Sequence, residues 1–419
     1  MDVESTVLFS LVGGTLMRIL QVGPIPPEVG GKTAGGVATV VWELSRNLTS
    51  MGHRVSIIVT NPGFGEPTEV DNITLYPLSK NFLARQSLSV SLVGIKLYFK
   101  VLSLVKPFYG WIKPYFIYNG ISRVISKERP DVMHVHHMEL MVPFVYYSVK
   151  RIGKEIPIVS TVHSVSAFYK YRSTGKYGEF VRLVRDNVNM VDKIIAVSED
   201  TVNRLEQQLG LKVPSEKVSV IPNGFPSFFY PVDKALAREQ LGLPLDKKII
   251  LNVANLVPVK GHEYLIKAMK IVLENRGDVI CIIIGSGHLE TELREKIKKE
   301  GLEDKIILVG ARPHNEIPLW MNAADLFVLP SLSEGNPTVM FEALGVGLPF
   351  VGTAVGGVPE IITSEDYGLL CKPGDPKDLA EKILIALEKN WDPWKIRKYA
   401  EKFAWENITK QILNVYGGS

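Results

Sequence analysis

Short apolar runs punctuate this chain, and between them apolar residues recur three and four positions apart. The runs MRILQVG (from Met17), HRVSIIVT (from His53), DVMHVHH (from Asp131), IPIVSTVH (from Ile156), KIIAVS (from Lys193) and VSVIPNG (from Val218) each read as a strand buried on both faces. A glycine-rich loop from Gly30 to Gly36 leads into a predicted helix from Val37 to Met51. The pattern restarts with KIILNVANL (from Lys248), a helix from Glu263 to Arg276, VICIIIGSG, IILVG, LFVLPS and PFVGT. Strand–helix alternation of this kind predicts parallel, doubly wound sheets with ligands at the C-terminal ends of the strands. Two Rossmann-like units are expected, joined within residues 224–246, where Pro226, Pro231 and Pro244 lie. From about Asp392 the chain reads as helical and aromatic (Trp394, Tyr399, Phe403, Trp405), able to pack across both units.

The chemistry concentrates in Ser331–Ile362, SLSEGNPTVMFEALGVGLPFVGTAVGGVPEII, where seven residues separate Glu334 from Glu342. Gly335, Asn336, Pro337 and Thr338 read as a helix entrance, with Asn336 as N-cap and Pro337 in the first helical position. The first turn of such a helix offers backbone N–H groups and partial positive charge to a phosphate. Glu342, one to two turns inside, could accept hydrogen bonds from a diol, and Glu334 on the loop would meet a sugar attached to that phosphate. By sequence alone each glutamate could equally be a solvated charge or a surface ion pair. The Gly285–Ser286–Gly287 turn is a poor dinucleotide fingerprint, because its third glycine would fall at Glu290. His134 and His136 share a strand face beside His137, but they form no recognised metal-ligand spacing with a Cys, Asp or Glu, so no metal is expected.

Composition adds three constraints. With 419 residues and 46% hydrophobic content the chain has the length of two globular domains. Its two cysteines, Cys281 and Cys371, have no disulfide or zinc spacing, which points to a cytoplasmic protein. Residues 1–225 hold 25 basic and 18 acidic side chains, whereas the remainder is slightly acidic. The excess centres on an insertion at about 80–127, free of Asp and Glu and mixing lysines with Phe, Tyr and Trp111. It reads either as a peripheral contact with the inner, anionic face of a membrane or as helices packed on the sheet with lysines in water. Residues 1–16 are apolar but begin with Asp2 and Glu4, which fits neither a signal peptide nor a spanning helix, so Met17 is the expected start. The basic residues match no nucleic-acid-binding motif.

The two-glutamate segment resembles that of the retaining glycosyltransferases of family 4. From Met17 onward the chain is similar to that family in order: GGVATVVWELSRNLTSMGHRV, DVMHVHH, STVH, IIAVSE, VIPNG, NVANLVPVKG, IGSGHLETEL, the two glutamates and GGVPEII. The resemblance implies the α/β GT-B architecture, two Rossmann-like doubly wound domains facing a central cleft. It divides the chain into an acceptor-binding domain at 17–225, a nucleotide-sugar-binding domain at 226–390 and C-terminal helices at 391–419. By the same resemblance Gly35 and Gly36 approach the donor diphosphate and acceptor, and Lys260 stabilises the diphosphate as it leaves. Glu342 holds the ribose, Glu334 and His163 lie near the donor sugar, and His136 or His137 lines the acceptor side. The family's arginine five residues before the lysine is here Asn255, which leaves the diphosphate clamp one permanent charge short. Lys32 or Arg312 could compensate. The implied reaction is transfer of a sugar from a nucleotide-diphosphate sugar to an acceptor hydroxyl, with retention and no metal or other cofactor. The absence of any Asp-x-Asp fits that metal-free site. The acceptor is a carbohydrate or lipid-linked hydroxyl. An epimerase or hydrolase of the same architecture, or a catalytically silent nucleotide-binding protein, are the alternatives.

Overall fold

The computed structural model describes residues 15–32, 35–79, 92–109, 113–136 and 138–417. His137, residues 80–91 and 110–112 of the insertion, and residues 1–14 lie outside them. The chain forms two compact units. One runs to Val197 and adds Val202–Ile221 and the residues from Glu406; the other takes Ser198–Thr201 and Pro222–Trp405.

The first unit is built on β1 (Arg18–Gly23), β2 (Arg54–Val59), β3 (Thr68–Val70), β4 (Ile73–Pro77), β5 (Val132–Val135), β6 (Ile158–Val162), β7 (Lys193–Ala196) and β8 (Val218–Val220). Their order is β3-β4-β2-β1-β5-β6-β7-β8, parallel except for the β3–β4 hairpin. That hairpin was not expected from the sequence. It turns at Asp71 and Asn72, both in the left-handed region (φ 51° and 60°), a two-residue turn these side chains tolerate. The helix Gly36–Ser50 buries Ala38, Val41, Leu44 and Leu48, a helical repeat that ends where Gly52 turns left-handed at φ 91°.

The helices of the basic insertion bury one side and expose the other. The helix Leu92–Tyr109 buries Val101 and Val105, and Lys113–Glu128 buries Ile117, Tyr118, Ile121, Val124 and Ile125, all in the core of the first unit. On the outer side of the first helix, Ile95 and Phe99 are 41% and 58% exposed beside exposed Lys96 and Lys100. Among the described residues no helix is long and apolar enough to cross a membrane.

The second unit carries β9 (Lys248–Val253), β10 (Val279–Ile284), β11 (Ile306–Gly310), β12 (Leu326–Leu329), β13 (Phe350–Thr353) and β14 (Gly368–Cys371). They form a fully parallel sheet ordered β11-β10-β9-β12-β13-β14. β10 is buried at every position, and burial pushes the Cys281 thiol up to about 12, so it is an inert core group. Asp375 caps the helix Pro376–Glu388, and Asp392 caps Pro393–Ala400, each accepting from two backbone N–H groups. The C-terminal helices do not act as one block: Pro393–Ala400 belongs to the second unit, and the helix Trp405–Tyr416 from Glu406 onward belongs to the first.

Candidate active site

In each sheet the strand order reverses beside its first parallel strand, and several candidate residues lie on the loops that follow the two strands flanking the reversal, while His163 follows β6. In the second unit those strands are β9, followed by Asn255 and Lys260, and β12, followed by Ser331 and Glu334. In the first they are β1, which ends at Gly23, and β5, followed by His136. Such reversals open a crevice at the strand ends that backbone hydrogen bonding leaves unfilled.

In the second unit, Lys260 donates to Glu334 Oε1 at 2.6 Å, and the Ser331 hydroxyl donates to the same oxygen at 2.6 Å. The Lys260 and Glu334 side chains are only 23% and 9% exposed, so each charge depends on the other. Gly261 makes the pairing possible. It sits at φ 69°, and a Cβ there would stand 2.0 Å from the Pro330 carbonyl oxygen. Lys260 is thereby pressed against the loop that carries Glu334. Beside it His262 is buried, and its pKa is lowered to about 4 by burial and then by the Lys260 charge. Among the described residues neither of its ring nitrogens has a hydrogen-bond partner.

The helix after Glu334 differs from expectation at its start. It runs Thr338–Gly345, with Pro337 rather than Asn336 at the cap position and no side-chain cap. Asn336 is instead drawn to Asn223: its Oδ1 accepts from the Asn223 N–H at 2.9 Å, and its carbonyl accepts from Asn223 Nδ2 at 2.6 Å. A tertiary contact has taken the side chain that a local N-cap would use. The Gly335 carbonyl accepts from the Gly357 N–H at 2.7 Å, and a Cβ on Gly356 (φ 57°) would strike the Glu334 carbonyl. GGVPEII therefore braces the loop from behind.

Glu342 lies inside that helix and is 4% exposed, which excludes a surface ion pair. Its Oε1 lies 2.9 Å from His314 Nε2. His314 stands on the loop after β11, flanked by the rings of Phe228 and Phe229 at 5.7 and 5.3 Å. Sequence reading missed His314; its place just after a strand was the available signal. Asn255 is exposed, on the same β9 loop as Lys260. Arg312 is also exposed and donates to the Ala311 carbonyl on the loop that carries His314, while Lys32 is exposed in the first unit.

In the first unit, a cavity of about 460 Å³ is lined by Val37, His136, Glu139, Thr161, His163 and Lys170, among others. Gly23 admits its neighbours, since a Cβ there would meet Val41 at 2.8 Å and His136 at 3.2 Å. Gly35 is different. Its backbone is extended (φ 164°) and, among the described residues, a Cβ would meet nothing within 4 Å, so none of them demands glycine there. Gly36 opens the helix and is exposed. His136 and His163 stack with centroids 5.5 Å apart, His136 Nδ1 lying 3.2 Å from His163 Nε2. His134, fully buried, bonds Tyr416 Oη at 2.6 Å and Thr161 Oγ1 at 2.7 Å, and burial lowers its pKa to about 3. Among the described residues no group of three or more His, Cys, Asp or Glu side chains is placed to hold a metal.

Two family models match the chain: Glycosyltransferase Family 4 over residues 34–227 and Glycosyl transferases group 1 over residues 233–403. An uncharacterized glycosyltransferase of Methanocaldococcus jannaschii is 27% identical over 411 residues, covering 93% of this chain and 95% of the relative. N-acetyl-alpha-D-glucosaminyl L-malate synthase of Bacillus anthracis is 24% identical, covering 92% and 94%. Among solved structures, sucrose-phosphate synthase from Thermosynechococcus elongatus superposes with TM-score 0.72 at 21% identity, over 95% of this chain and 98% of that one. Anabaena HepE in complex with UDP gives TM-score 0.70 at 20% identity, over 96% and 100%.

Proposed function

This chain belongs to the glycosyltransferases of family 4 and has their GT-B fold, and from that premise we propose that it transfers a sugar, with retention, from a nucleotide-diphosphate sugar to an acceptor hydroxyl. The observation that carries the reading is the Lys260–Glu334–Ser331 cluster, set at the strand-order reversal beside a buried, hydrogen-bonded Glu342. A UDP complex and a UDP-glucose complex exist for Anabaena HepE, which supports a nucleotide sugar here by analogy.

In this reading the second unit holds the donor. Glu342 accepts hydrogen bonds from the ribose diol, displacing or sharing His314. Lys260 and the backbone N–H groups of Gly335 to Thr338 meet the diphosphate, where charge builds up as the glycosidic bond breaks. Glu334 holds donor-sugar hydroxyls, and Asn255 gives one hydrogen bond where a bidentate cation is usual. The first unit holds the acceptor, with Gly35 and Gly36 leaving room for ligand and His136 and His163 on the wall of its cavity. The acceptor oxygen forms its bond to the anomeric carbon on the face from which the phosphate oxygen departs, and that phosphate oxygen takes the acceptor proton. Glu334 is tied to Lys260 and Ser331, which suits a positioning role better than that of a covalent nucleophile.

A panel of UDP-, GDP- and ADP-sugars, assayed for nucleotide release with and without acceptor, tests the reading; NMR of the product gives the anomeric configuration. Release that ignores the acceptor would favour an epimerase or hydrolase. No release from any donor would favour a silent nucleotide-binding protein, a reading Asn255 keeps open. Transfer should be unchanged by EDTA, because no step calls on a metal; abolition restored by a divalent cation would refute this.

The exposed row Ile95, Lys96, Phe99 and Lys100 favours one further element, a peripheral contact with an anionic bilayer and a lipid-linked or membrane-proximal acceptor. Flotation with anionic vesicles should recover the protein at low salt and lose it as salt screens the lysines. Absence of binding at low salt refutes the contact.

A further inference from the structure

Gln21 lies in the middle of β1, with no exposure at all, between the buried Ile19, Leu20 and Val22 of the same strand. A buried amide in such a place is costly unless all its polar atoms are used. Here they form a chain. Ser45, in the helix Gly36–Ser50, donates its hydroxyl proton to the Val41 carbonyl at 2.7 Å. Its oxygen can then only accept, and it does so from Gln21 Nε2 at 2.7 Å. This turns the Gln21 carbonyl oxygen towards His136 Nε2, 2.7 Å away.

A carbonyl oxygen only accepts, so His136 carries a proton on Nε2. His136 is 1% exposed and stacked 4.1 Å from the buried ring of His134, an environment that disfavours a second proton. Neutral His136 therefore presents a lone pair at Nδ1, and His163 Nε2, 3.2 Å away, is the donor to it. When neutral, His163 then keeps its acceptor lone pair on Nδ1. We propose that Gln21 is a positioning residue that fixes the tautomer of His163 through His136. The main chain of one helix thus determines which nitrogen of His163 can accept a proton or hydroxyl. The inference rests on His163 belonging to the working site.

The test begins with the unaltered protein. Nitrogen-15 NMR of histidine-labelled enzyme, assigned with His163→Gln, should find His163 protonated on Nε2 and bare on Nδ1. A proton on Nδ1 instead overturns the proposal, whatever the variants do. Gln21→Met keeps the volume but deletes the chain; it should scramble the His163 tautomer and lower kcat roughly 10- to 100-fold with donor KM nearly unchanged. A folded Gln21→Met enzyme with parental kcat and an unchanged His163 spectrum also overturns the proposal. The two ideas separate through His163→Ala. If that variant transfers sugar at the parental rate, the placement of His163 in the site is wrong, while the tautomer measurement still judges the relay.

Discussion

Glu334 and Glu342 are both carboxylates, yet their surroundings assign them different work. Glu334 has its charge matched by Lys260 and steadied by Ser331, so Glu334→Ala should remove most of the transfer activity with little loss of nucleotide affinity. Glu342, buried and reached through His314, should when replaced by Ala weaken nucleotide binding first, which calorimetry with the free nucleotide would measure. Equal transfer by both variants and the parent would refute the assignment. Asn255 allows a test in the opposite direction. Because it is exposed beside Lys260 on one loop, Asn255→Arg should tighten donor binding several-fold if a diphosphate lies there. His134 and His262 contribute a pH dependence to stability. Both have folded pKa values, about 3 and about 4, lowered from 6.5. The unfolded chain therefore binds more protons below about pH 6.5. Their stabilisation is full above that pH and is lost progressively as pH falls towards 4, before most carboxylates titrate. Urea midpoints at pH 7.5 and 5 should differ, and His134→Gln should reduce the difference.

At the level of elements, tight backbone contacts determine where the site chains stand. Gly261 must hold a left-handed φ of 69° and leave room for the Pro330 carbonyl. Gly261→Ala should cost about 1–2 kcal/mol from the dihedral alone, plus whatever the clash imposes, and should move Lys260 away from Glu334. Lowered thermal stability together with a raised donor KM is the expected result; an unchanged KM would mean Lys260 does not depend on this packing. Gly35 gives the contrasting case. Among the described residues nothing fills the space at its Cβ, so Gly35→Ala should leave stability nearly untouched and reduce activity. The helix Thr338–Gly345 shows why local rules stop short. Asn336 has the chemistry of an N-cap, but Asn223 offers it two hydrogen bonds from a distant segment, and the cap is forgone.

Across the whole molecule, two sheets repeat one design: mainly parallel strands, a reversal of order, and candidate side chains on loops that follow the strands, several of them beside that reversal. Long apolar runs made most strands legible, because a strand buried on both faces must be apolar at nearly every position. The strands that escaped notice lie towards the sheet edges. β3 is short and largely exposed, β4 follows a turn that only its dihedrals reveal, and β14 is only four residues long. For these, pairing with a neighbour decides the conformation more than the residues' own pattern. The basic insertion was legible as amphipathic, but its apolar content alone could not say that Val101 and Ile121 enter the core while Phe99 stays outside.

By itself the sequence determined the α/β alternation, its restart near Lys248, the family, and the identity of Lys260, Glu334, Glu342 and His163 as candidates. The alternation and the Glu334–Glu342 pair follow from residue type and spacing along the chain, and the family, Lys260 and His163 from the resemblance of ordered motifs. Tertiary structure alone decided the partners: Lys260 and Ser331 on one oxygen of Glu334, His314 on Glu342, and Gln21 behind His136 and His163. These pairs are 74, 28 and 115 residues apart for Lys260–Glu334, His314–Glu342 and Gln21–His136, and no local periodicity relates them. Only the folding of separate strands side by side brings such groups within hydrogen-bonding distance, where burial then makes each depend on the others.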